Sequence, residues 1–411
     1  MALIVQKYGG TSVADPDRIR AVAENIAFTK RHGNDVIVVP SAMGKSTDNL
    51  IKLANDVSAT QPGRELDMLI TTGERISMAL ADLGIEAKSF TGSQAGIVTD
   101  TAHGKAKIIE VKGDRVREAL ADGKVCVVAG FQGISTEREI TSLGRGGSDT
   151  TAVALAAALN ADSCEIYTDV TGVFTADPRI VPQARKLAHV NFDEMLEMAG
   201  AGSKVLALRS VEFARNHNVP IHVRSAFTWE HGTWVTSQEP NMEDPIISGV
   251  VTDVSEAKVT VVAVPDRPGI SAALFEPLAA ANVNVDMIVQ NTSHHGTTDI
   301  SFTMPKADFA MAESIVARVA AEIGAAGVEH DANIAKLSLV GAGMKTSPGI
   351  AAKMFRTLAD ESVNIQMIST STIRISVVTG AADLERAARA LHTAFGLDSG
   401  QAYSAPLPER K

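Results

Sequence analysis

The first 235 residues of the chain alternate short apolar runs with longer amphipathic stretches. Each run is rich in Val and Ile on both faces, which is typical of strands that helices cover on both sides of a parallel sheet. The predicted strands are Ala2–Lys7, Val36–Ala42, Lys124–Phe131, Ser163–Val170 and Pro220–Ala226. The alternation predicts an α/β fold with an open, mostly parallel sheet sandwiched by helices. Ligands of such sheets bind at the carboxyl ends of the strands, so the turns after these strands are where function is expected.

The stretch from Asp15 to Gly33 predicts the first of these helices. Asp15 can cap its start, Pro16 suits the first helical position and Gly33 can end it. Apolar residues at helical spacing mark one face, namely Ile19, Val22 and Ile26.

An internal repeat follows a polar linker at 236–250. Pro268-Gly269-Ile270 recurs eighty residues later as Pro348-Gly349-Ile350, and Val283-Asn284 recurs as Val363-Asn364. Each copy begins with a strand, a Pro-Gly turn and a helix, and ends with further strands. We therefore predict a first domain at 1–235 and two related domains at 251–330 and 331–411. A duplicated structural module is the alternative to a pair of ligand sensors.

Composition narrows the class of protein. The chain has 411 residues, of which 45% are hydrophobic and 21% charged, as in globular proteins. Its formal net charge of −10 and its 2 Trp and 3 Tyr residues disfavour a nucleic-acid partner. No apolar run approaches the roughly 20 residues of a membrane span. The two cysteines, Cys126 and Cys164, lie in apolar runs and are expected to be buried and inert, and with no secretory signal they predict a cytoplasmic location.

Two phosphate-binding motifs and a metal site are disfavoured. Gly44-Lys45-Ser46 resembles the end of a P-loop, but Val39 stands where the first glycine belongs. Gly144-Arg145-Gly146 begins a dinucleotide fingerprint, but Asp149 replaces its last glycine, which disfavours a hydride-transfer enzyme. The ten histidines show no ligand spacing, so no metal site is predicted.

Two turns after predicted strands remain candidates for phosphate binding. In the first turn, Lys7 precedes Gly9 and Gly10, and the paired glycines would let backbone N–H groups approach an anion. A surface lysine before a tight turn is the alternative. The second turn, around Ser41, has small residues but is a weak signal by itself.

A third turn, at 143–151, leads into an Ala-rich helix that is expected to run to Leu159. Its glycines surround Arg145, whose guanidinium can grip a carboxylate in bidentate fashion. Ser148 and Asp149 are expected to cap the helix, and Asp149 is as well explained by capping as by catalysis. Two further polar turns, at 167–179 and 71–75, offer room for a nucleotide and a carboxylate, Glu74, that could receive an amino group.

Six segments, in this order, resemble the aspartokinases of the amino-acid kinase superfamily. They read KYGGTSV, SAMGKSTDNL, TTGERIS, FQGI, TSLGRGGSDTTA and TDVTGVFTADPR. The repeat resembles that family's paired ACT domains, which are ferredoxin-like βαββαβ modules. The resemblance covers nearly the whole chain and implies transfer of the γ-phosphoryl group of ATP to the β-carboxylate of L-aspartate, giving 4-phospho-L-aspartate, with Mg²⁺ accompanying ATP and no tightly bound cofactor.

The resemblance also assigns residues to roles. Lys7 and Asp149 are expected to be catalytic, with Lys7 stabilising charge on the phosphoryl group and Asp149 orienting Lys7. The residues expected at ATP are Lys7, Tyr8, Gly9, Gly10, Ser41, Thr168, Asp169, Phe174, Thr175, Asp177, Arg179 and Lys204. The residues expected at aspartate are Thr47, Glu74, Arg145, Gly146, Gly147 and Ser148.

Paired ACT domains imply feedback inhibition by lysine, threonine or both, at sites between the ACT domains of two chains. The residues expected at effectors are Asp266, Gly269, Ile270, Ser271, Ala272, Gln290, Asn291, Thr297, Met344, Gly349, Ile350, Asn364, Ile365 and Ser371. The assembly is expected to be a homo-oligomer, or a heterotetramer with a shorter regulatory subunit that starts near Met242. The reaction is the first step of the pathway to lysine, threonine, methionine and isoleucine.

Two rival functions differ in class. Another amino-acid kinase would act on glutamate, acetylglutamate or a nucleoside monophosphate, which the Glu74 and Arg145 turns and the ACT pair disfavour. A non-catalytic amino-acid sensor would have no need for Lys7, Arg145 and Asp149.

Overall fold

The first domain is built on one large sheet and one small sheet. The computed structural model describes residues 2–41, 75–237, 247–291, 296–345 and 349–398. The strands of this domain are β1 (Leu3–Tyr8), β2 (Asp35–Pro40), β3 (Ala87–Phe90), β4 (Ile97–Thr99), β5 (Ile108–Val111), β6 (Val125–Val128), β7 (Gln132–Ser135), β8 (Ile140–Ser142), β9 (Ser163–Thr168), β10 (His189–Asn191), β11 (Ile221–Ser225) and β12 (Thr233–Thr236). Its helices are α1 (Pro16–Arg31), α2 (Arg75–Asp82), α3 (Asp114–Ala121), α4 (Gly147–Ala158), α5 (Phe192–Ala201) and α6 (Leu208–His217).

The large sheet has eight strands in the order β10-β12-β11-β9-β1-β2-β6-β3. Neighbouring strands are parallel except β11 and β12, so the predicted open, mostly parallel sheet is confirmed. Helices α1 and α2 cover one face, and α3, α4, α5 and α6 cover the other. Each of the five predicted strands is present. The four strands of the small sheet, β5-β4-β7-β8, were not predicted because each has only three or four residues.

Helix α1 follows the sequence prediction closely. The carboxylate of Asp15 caps it by accepting a hydrogen bond from the backbone N–H of Arg18 at 2.9 Å. Gly33 follows the helix with a φ of +83°, a left-handed conformation that glycine adopts without strain. The three predicted apolar positions, Ile19, Val22 and Ile26, are all buried against the sheet.

The repeat forms two modules of similar architecture. The first contains β14 (Glu256–Pro265), α7 (Ile270–Ala280), β15 (Asp286–Gln290), β16 (Thr297–Pro305), α8 (Phe309–Ile323) and β17 (Gly327–Asp331). The second contains β18 (Ile334–Val340), α9 (Ile350–Asp360), β19 (Met367–Thr370), β20 (Arg374–Gly380) and α10 (Leu384–Ala394). Helices α7 and α9 begin eighty residues apart, after Gly269 and Gly349, which both have positive φ. The first module is a complete βαββαβ unit.

The second module takes its last strand from earlier in the chain. Strand β13 (Gly249–Asp253) pairs antiparallel with β18 and gives the sheet order β13-β18-β20-β19. The structure therefore differs from the sequence division, in which residues 249–253 straddled the linker and the first repeat domain. The physical reason is that β18 would otherwise present an unpaired edge, which β13 covers. The first module is thus inserted within the second.

A buried lysine joins the two modules. Lys336 on β18 is 1% exposed, and its ammonium donates to the carboxylates of Glu256 at 2.5 Å and of Asp286 at 3.0 Å. Burial favours the neutral amine, but the two carboxylates outweigh it and raise the pKa of Lys336. A charge buried in this way is stable only when it is paired, so the three residues fix how the modules sit together.

No helix of the described residues is long and apolar enough to cross a bilayer.

Candidate active site

Lys7 and Asp149 meet on one face of the large sheet. Side chains alternate along β1, so Val5 and Lys7 face α4 whereas Gln6 and Tyr8 face α1. The ammonium nitrogen of Lys7 lies 2.5 Å from Oδ1 of Asp149, and the two side chains are only 11% and 12% exposed. A largely buried ion pair of this kind orients its lysine in one direction.

The glycine-rich turn before α4 is shaped by backbone geometry. Gly144 and Gly146 have φ values of +77° and +75°, which are unfavourable for any residue with a Cβ. A Cβ on Gly146 would also lie 2.4 Å from that of Ala207. Gly146 itself is the N-cap, and Ser148 and Asp149 lie inside the first turn of the helix. The prediction that Ser148 and Asp149 cap the helix is therefore wrong, which leaves Asp149 free to pair with Lys7.

The other two candidate turns adjoin Lys7. The backbone N–H of Gly9 donates to the carbonyl of Tyr167 at 3.2 Å, and that of Ser41 donates to the carbonyl of Tyr8 at 2.9 Å. The carboxyl ends of β1, β2 and β9 therefore lie side by side. Of the residues predicted at ATP, this edge of the sheet gathers Lys7, Gly9, Gly10, Ser41, Thr168 and Asp169.

In the rest of the predicted nucleotide segment at 167–179, Asp177 and Arg179 form an ion pair with each other. Asp177 accepts hydrogen bonds from the Arg179 guanidinium at 2.6 to 3.2 Å, which lower the pKa of that carboxyl, and Lys204 adds to the effect. Lys204 is thus near Asp177, as the sequence interpretation requires. Phe174 pairs with Lys186 in an isolated β-bridge and is partly exposed.

Two side chains predicted at ATP point elsewhere. Tyr8 is fully buried on the α1 face, where its ring stacks on that of Tyr167 with centroids 4.6 Å apart. Thr175 is 1% exposed, and its hydroxyl lies 2.9 Å from Nε2 of His392 on α10. Neither side chain faces the Lys7–Asp149 pair, because strand alternation turns Tyr8 away and Thr175 is engaged at the junction with the second module.

The residues predicted at aspartate are only partly described. Thr47 and Glu74 lie outside the described residues. Arg145 is exposed at the tip of the turn, and within the described part of the chain it has no ion-pair partner. Ser148 is buried one residue before Asp149, and Arg145 lies in the turn that leads into the helix carrying Asp149.

The predicted effector residues of the first module come together at one end of its sheet. The hydroxyl of Ser271 donates to Oε1 of Gln290 at 3.2 Å, and Thr297 pairs with Pro265, beside Asp266. Gly269, Ile270 and Ala272 belong to the start of α7, next to these residues. Asn291 directly follows β15, where its carbonyl accepts from the hydroxyl of Thr298.

Of the predicted effector residues of the second module, Ser371 contacts the first domain. Gly349 and Ile350 begin α9, Asn364 and Ile365 precede β19, and Met344 belongs to the single turn Ala342–Lys345. The hydroxyl of Ser371 donates to the carboxylate of Glu197 on α5 at 2.8 Å.

Two carboxylates of α5 hold the second module, and sequence reasoning missed both. Glu197 also lies 3.2 Å from the guanidinium of Arg374. Oε1 of the buried Glu194 accepts from the backbone N–H of Ala342 at 3.0 Å and from the hydroxyl of Ser248. We call Glu194 and Glu197, with the four groups that they bind, the α5 contact. Nothing in the local pattern of 192–201 distinguishes these carboxylates from solvated ones.

A buried charge network on the α1 face was also missed. Glu165 accepts hydrogen bonds from Gln6 and Tyr167 at 3.0 Å and from Arg224 at 3.1 Å, and His222 lies 3.7 Å away. Burial by itself would raise the pKa of Glu165, but His222, Arg224 and Gln6 together lower it to about 2. A lone glutamate in an apolar strand was the available signal, and its partners lie on other strands.

The predicted inert cysteines are confirmed as buried, with burial raising the pKa of Cys126 to about 12.

Comparison with protein families agrees with this architecture. The model of the amino acid kinase family matches residues 2–225, and models of the ACT domain match residues 258–324 and 337–395. The fold and the site therefore define an amino acid kinase joined to two ACT domains.

Comparison with individual proteins identifies the family within that class. The chain is 55% identical over 407 residues to the aspartokinase of Corynebacterium glutamicum, with 97% of each chain covered. The chain belongs to the aspartokinase family and is a kinase. Escherichia coli aspartokinase III in complex with aspartate and ADP has the same fold, with a TM-score of 0.80 at 24% identity over 95% of this chain and 99% of that one. Its complex with lysine and aspartate gives a TM-score of 0.74 at 24% identity, with the same coverage.

Proposed function

We propose that this kinase transfers the γ-phosphoryl group of ATP to the β-carboxylate of L-aspartate, giving ADP and 4-phospho-L-aspartate. The observation that carries the proposal is the Lys7–Asp149 ion pair at the carboxyl end of β1, beside the turns of Gly9 and Ser41. Escherichia coli aspartokinase III, which shares the fold, has been crystallised with aspartate and ADP. The product would enter the pathway to lysine, threonine, methionine and isoleucine.

The proposed mechanism needs positioning and charge rather than a general base. The β-carboxylate of aspartate is already ionised at pH 7 and can attack the phosphorus atom directly. The Lys7 ammonium stabilises the negative charge on the transferring phosphoryl oxygens, while Asp149 keeps that ammonium in place. Arg145 binds the α-carboxylate of aspartate, and its exposed guanidinium is available for this because no described residue pairs with it.

We propose that Mg²⁺ enters on the phosphates of ATP and is held by them and by water. Two carboxylates of the site are already engaged by cations, Asp149 by Lys7 and Asp177 by Arg179. Within the described ranges, no three His, Cys, Asp or Glu side chains are grouped to hold a metal ion. These residues suit a metal ion that is carried by the nucleotide, where it would neutralise phosphate charge.

We further propose that lysine, threonine or both inhibit the enzyme through the ACT modules. The α5 contact supports this, because it ties Ser371 and the turn of Met344, both predicted at effectors, to a helix of the kinase domain. Helix α5 packs on α6, and α6 packs on α4, which carries Asp149. A shift of the second module on effector binding would therefore reach the site through packed helices.

The proposed assembly is a homo-oligomer, or a heterotetramer with a shorter subunit that starts at Met242, a residue outside the described ranges. Ile288 on β15 and Ile368 on β19 occupy equivalent positions of the repeat, both on edge strands of their sheets. They are 52% and 43% exposed, although they are large and apolar. Exposed apolar edge strands of this kind are suited to pairing with another chain.

The test of the proposed function is acyl phosphate formation, trapped with hydroxylamine, from L-aspartate with ATP and Mg²⁺. Parallel reactions contain L-glutamate, N-acetylglutamate or a nucleoside monophosphate, and each is repeated with lysine, threonine and both. Product from aspartate alone, suppressed by one or both effectors, supports the proposal. Product from another acceptor favours the rival kinase, and effector binding with no product from any acceptor favours the sensor.

A further inference from the structure

Ser12 has a buried hydroxyl that no group of the described residues binds. It lies in the single turn Gly10–Val13 directly after β1, and its backbone N–H donates to the carbonyl of Gly9 at 2.9 Å. The residue is 1% exposed, yet its Oγ has no hydrogen-bond partner in the described structure. A hydroxyl buried without a partner is unfavourable, so alanine would be more stable at this position if packing alone mattered.

Most comparable buried hydroxyls in the described part of the chain are paired. Those of Thr99 and Thr141 lie 2.6 Å apart, and those of Ser338 and Ser376 lie 2.7 Å apart. Thr303 on β16, which is fully buried, and Ser77 on α2 are exceptions, since their hydroxyls also have no partner among the described residues. Thr303 belongs to the first module and Ser77 to α2, however, whereas Ser12 belongs to the turn that follows Lys7.

The unpaired hydroxyl of Ser12 faces the same space as the Lys7 ammonium. Gly9 has no side chain, and the point where its Cβ would stand lies 3.7 Å from Nζ of Lys7 and 4.0 Å from Oγ of Ser12. The carbonyl oxygen of Tyr167 is 3.6 Å from that point. Gly9 has an ordinary φ of −67°, so its backbone conformation does not require glycine. The absent side chain instead leaves room beside the ammonium and the hydroxyl.

We propose that Ser12 is a further catalytic residue, whose hydroxyl donates a hydrogen bond to an oxygen of the transferring phosphoryl group alongside Lys7. This inference rests on the proposed function. A neutral donor fixed beside a cation stabilises the negative charge that spreads over those oxygens in the transition state, and its fixed position avoids reorganisation at that moment. No bond of Ser12 forms or breaks, since the phosphoryl group passes from ATP to the carboxylate of the acceptor.

The test compares Ser12→Ala and Ser12→Cys with the wild-type chain. Cysteine has nearly the size of serine but is a weak donor, so it separates hydrogen bonding from packing. We expect both variants to lower kcat about 10- to 100-fold, which is at or below the lower end of the range of about 100- to 1000-fold for loss of one such donor. The Tm without ligand should be unchanged or higher, and the affinity for ATP should fall while that for ADP, which lacks the transferred group, stays within about twofold.

Thr303→Val is the matched control, because it removes another unpaired buried hydroxyl far from the site, and its kcat should equal that of the wild type. A kcat for Ser12→Ala within about twofold of wild type overturns the inference. A lowered Tm in proportion to the lost activity also overturns it, since the role would then be structural. If the wild type forms no acyl phosphate, the proposed function fails, and the inference is then judged on the ATP and ADP affinities alone.

Discussion

Nζ of Lys7 lies 2.5 Å from Oδ1 of Asp149, although Lys7 is the second-last residue of β1 and Asp149 lies in the first turn of α4. Packing of α4 on β1 brings them together, and the left-handed conformation of Gly146 sets the direction in which the helix begins. The pair is largely buried, so each side chain limits the rotamers of the other.

Replacing Lys7 by Met is expected to lower kcat by about 100-fold or more with little change of fold, because the ammonium stabilises charge in the transition state. Asp149→Asn should lower kcat by about 10- to 100-fold, because Lys7 keeps its charge but loses its orientation. Both values would come from hydroxylamine-trapped product at saturating aspartate and ATP. Tm would be recorded for each variant.

Lys30→Met is the matched control for this ion pair. Lys30 and Asp35 form a partly buried pair at 3.0 Å in the same domain, at the opposite end of α1 from the site. This variant should keep a normal kcat. Turnover of Lys7→Met at the wild-type rate would contradict the catalytic role.

Arg145→Ala is expected to raise the KM for aspartate about 10-fold or more, because hydrogen bonds to a charged group contribute about 1.5–3 kcal/mol. Arg145 is exposed and none of the described residues pairs with it, so its truncation leaves no buried charge behind. The measurement is initial rate against aspartate concentration at saturating ATP. The control is Arg20→Ala, which truncates an exposed arginine on α1. If Arg145→Ala and Arg20→Ala have the same KM for aspartate, Arg145 does not bind aspartate.

The large sheet and the repeat were predictable because their signals are local. Apolar runs marked the central strands, Asp15 and Gly33 marked the ends of α1, and the recurrence at an offset of eighty marked α7 and α9. The turns after β1, β2 and β9 were likewise found because each directly follows a strand of the parallel sheet, and the turn at 143–151 was found from its glycines. Their roles came from the resemblance to a family, since spacing left Asp149 equally explained as a cap.

What could not be predicted depends on pairing between distant segments. Strand β13 belongs to the second module only because β18 lies beside it, which no local pattern indicates. Glu165 finds Arg224 through the register of β9 with β11, and Glu197 finds Ser371 through the seating of the second module. Buried polar side chains are therefore the residues whose surroundings only the fold reveals.

Breaking the α5 contact is expected to weaken feedback inhibition without lowering basal activity. Glu197→Gln removes the charge that binds Arg374 and weakens the hydrogen bond from Ser371, and Ser371→Ala removes that bond. If the second module acts on α5 through this contact, the effector concentration for half-inhibition should rise about 5-fold or more, within the usual range of allosteric coupling. Inhibition curves for lysine, threonine and both together would measure it.

The control for that series is Ser314→Ala, which removes an exposed hydroxyl that bonds to the carbonyl of Met311 on α8 of the first module. It should leave the inhibition curve unchanged. Curves for Glu197→Gln and Ser371→Ala that superimpose on the wild-type curve would show that the contact holds the modules together but does not transmit the effector signal.

The Glu165 network is expected to make stability depend on pH below about 4.5. The pKa of Glu165 falls from an ordinary 4.5 to about 2 in the folded protein, so the unfolded chain binds this proton more tightly. Its contribution is therefore fully present above pH 4.5 and is lost as the pH falls toward 2. A gap of this size is equivalent to about 3 kcal/mol at most. Urea unfolding at pH 6.0, 4.5, 4.0 and 3.5 would measure it.

Glu165→Gln should be less stable than the wild type at pH 6, because Arg224 is left without its carboxylate, and its free energy of unfolding should change less between pH 4.5 and 3.5. Asp17→Asn, which removes an almost fully exposed carboxylate, should keep the wild-type pH dependence. Burial lowers the pKa of His222, so that ring also destabilises the fold as the pH falls, but beginning near its ordinary 6.5. A slope below pH 4.5 that is the same in Glu165→Gln and in the wild type would mean that other carboxylates, and not this network, set the acid limit of the fold.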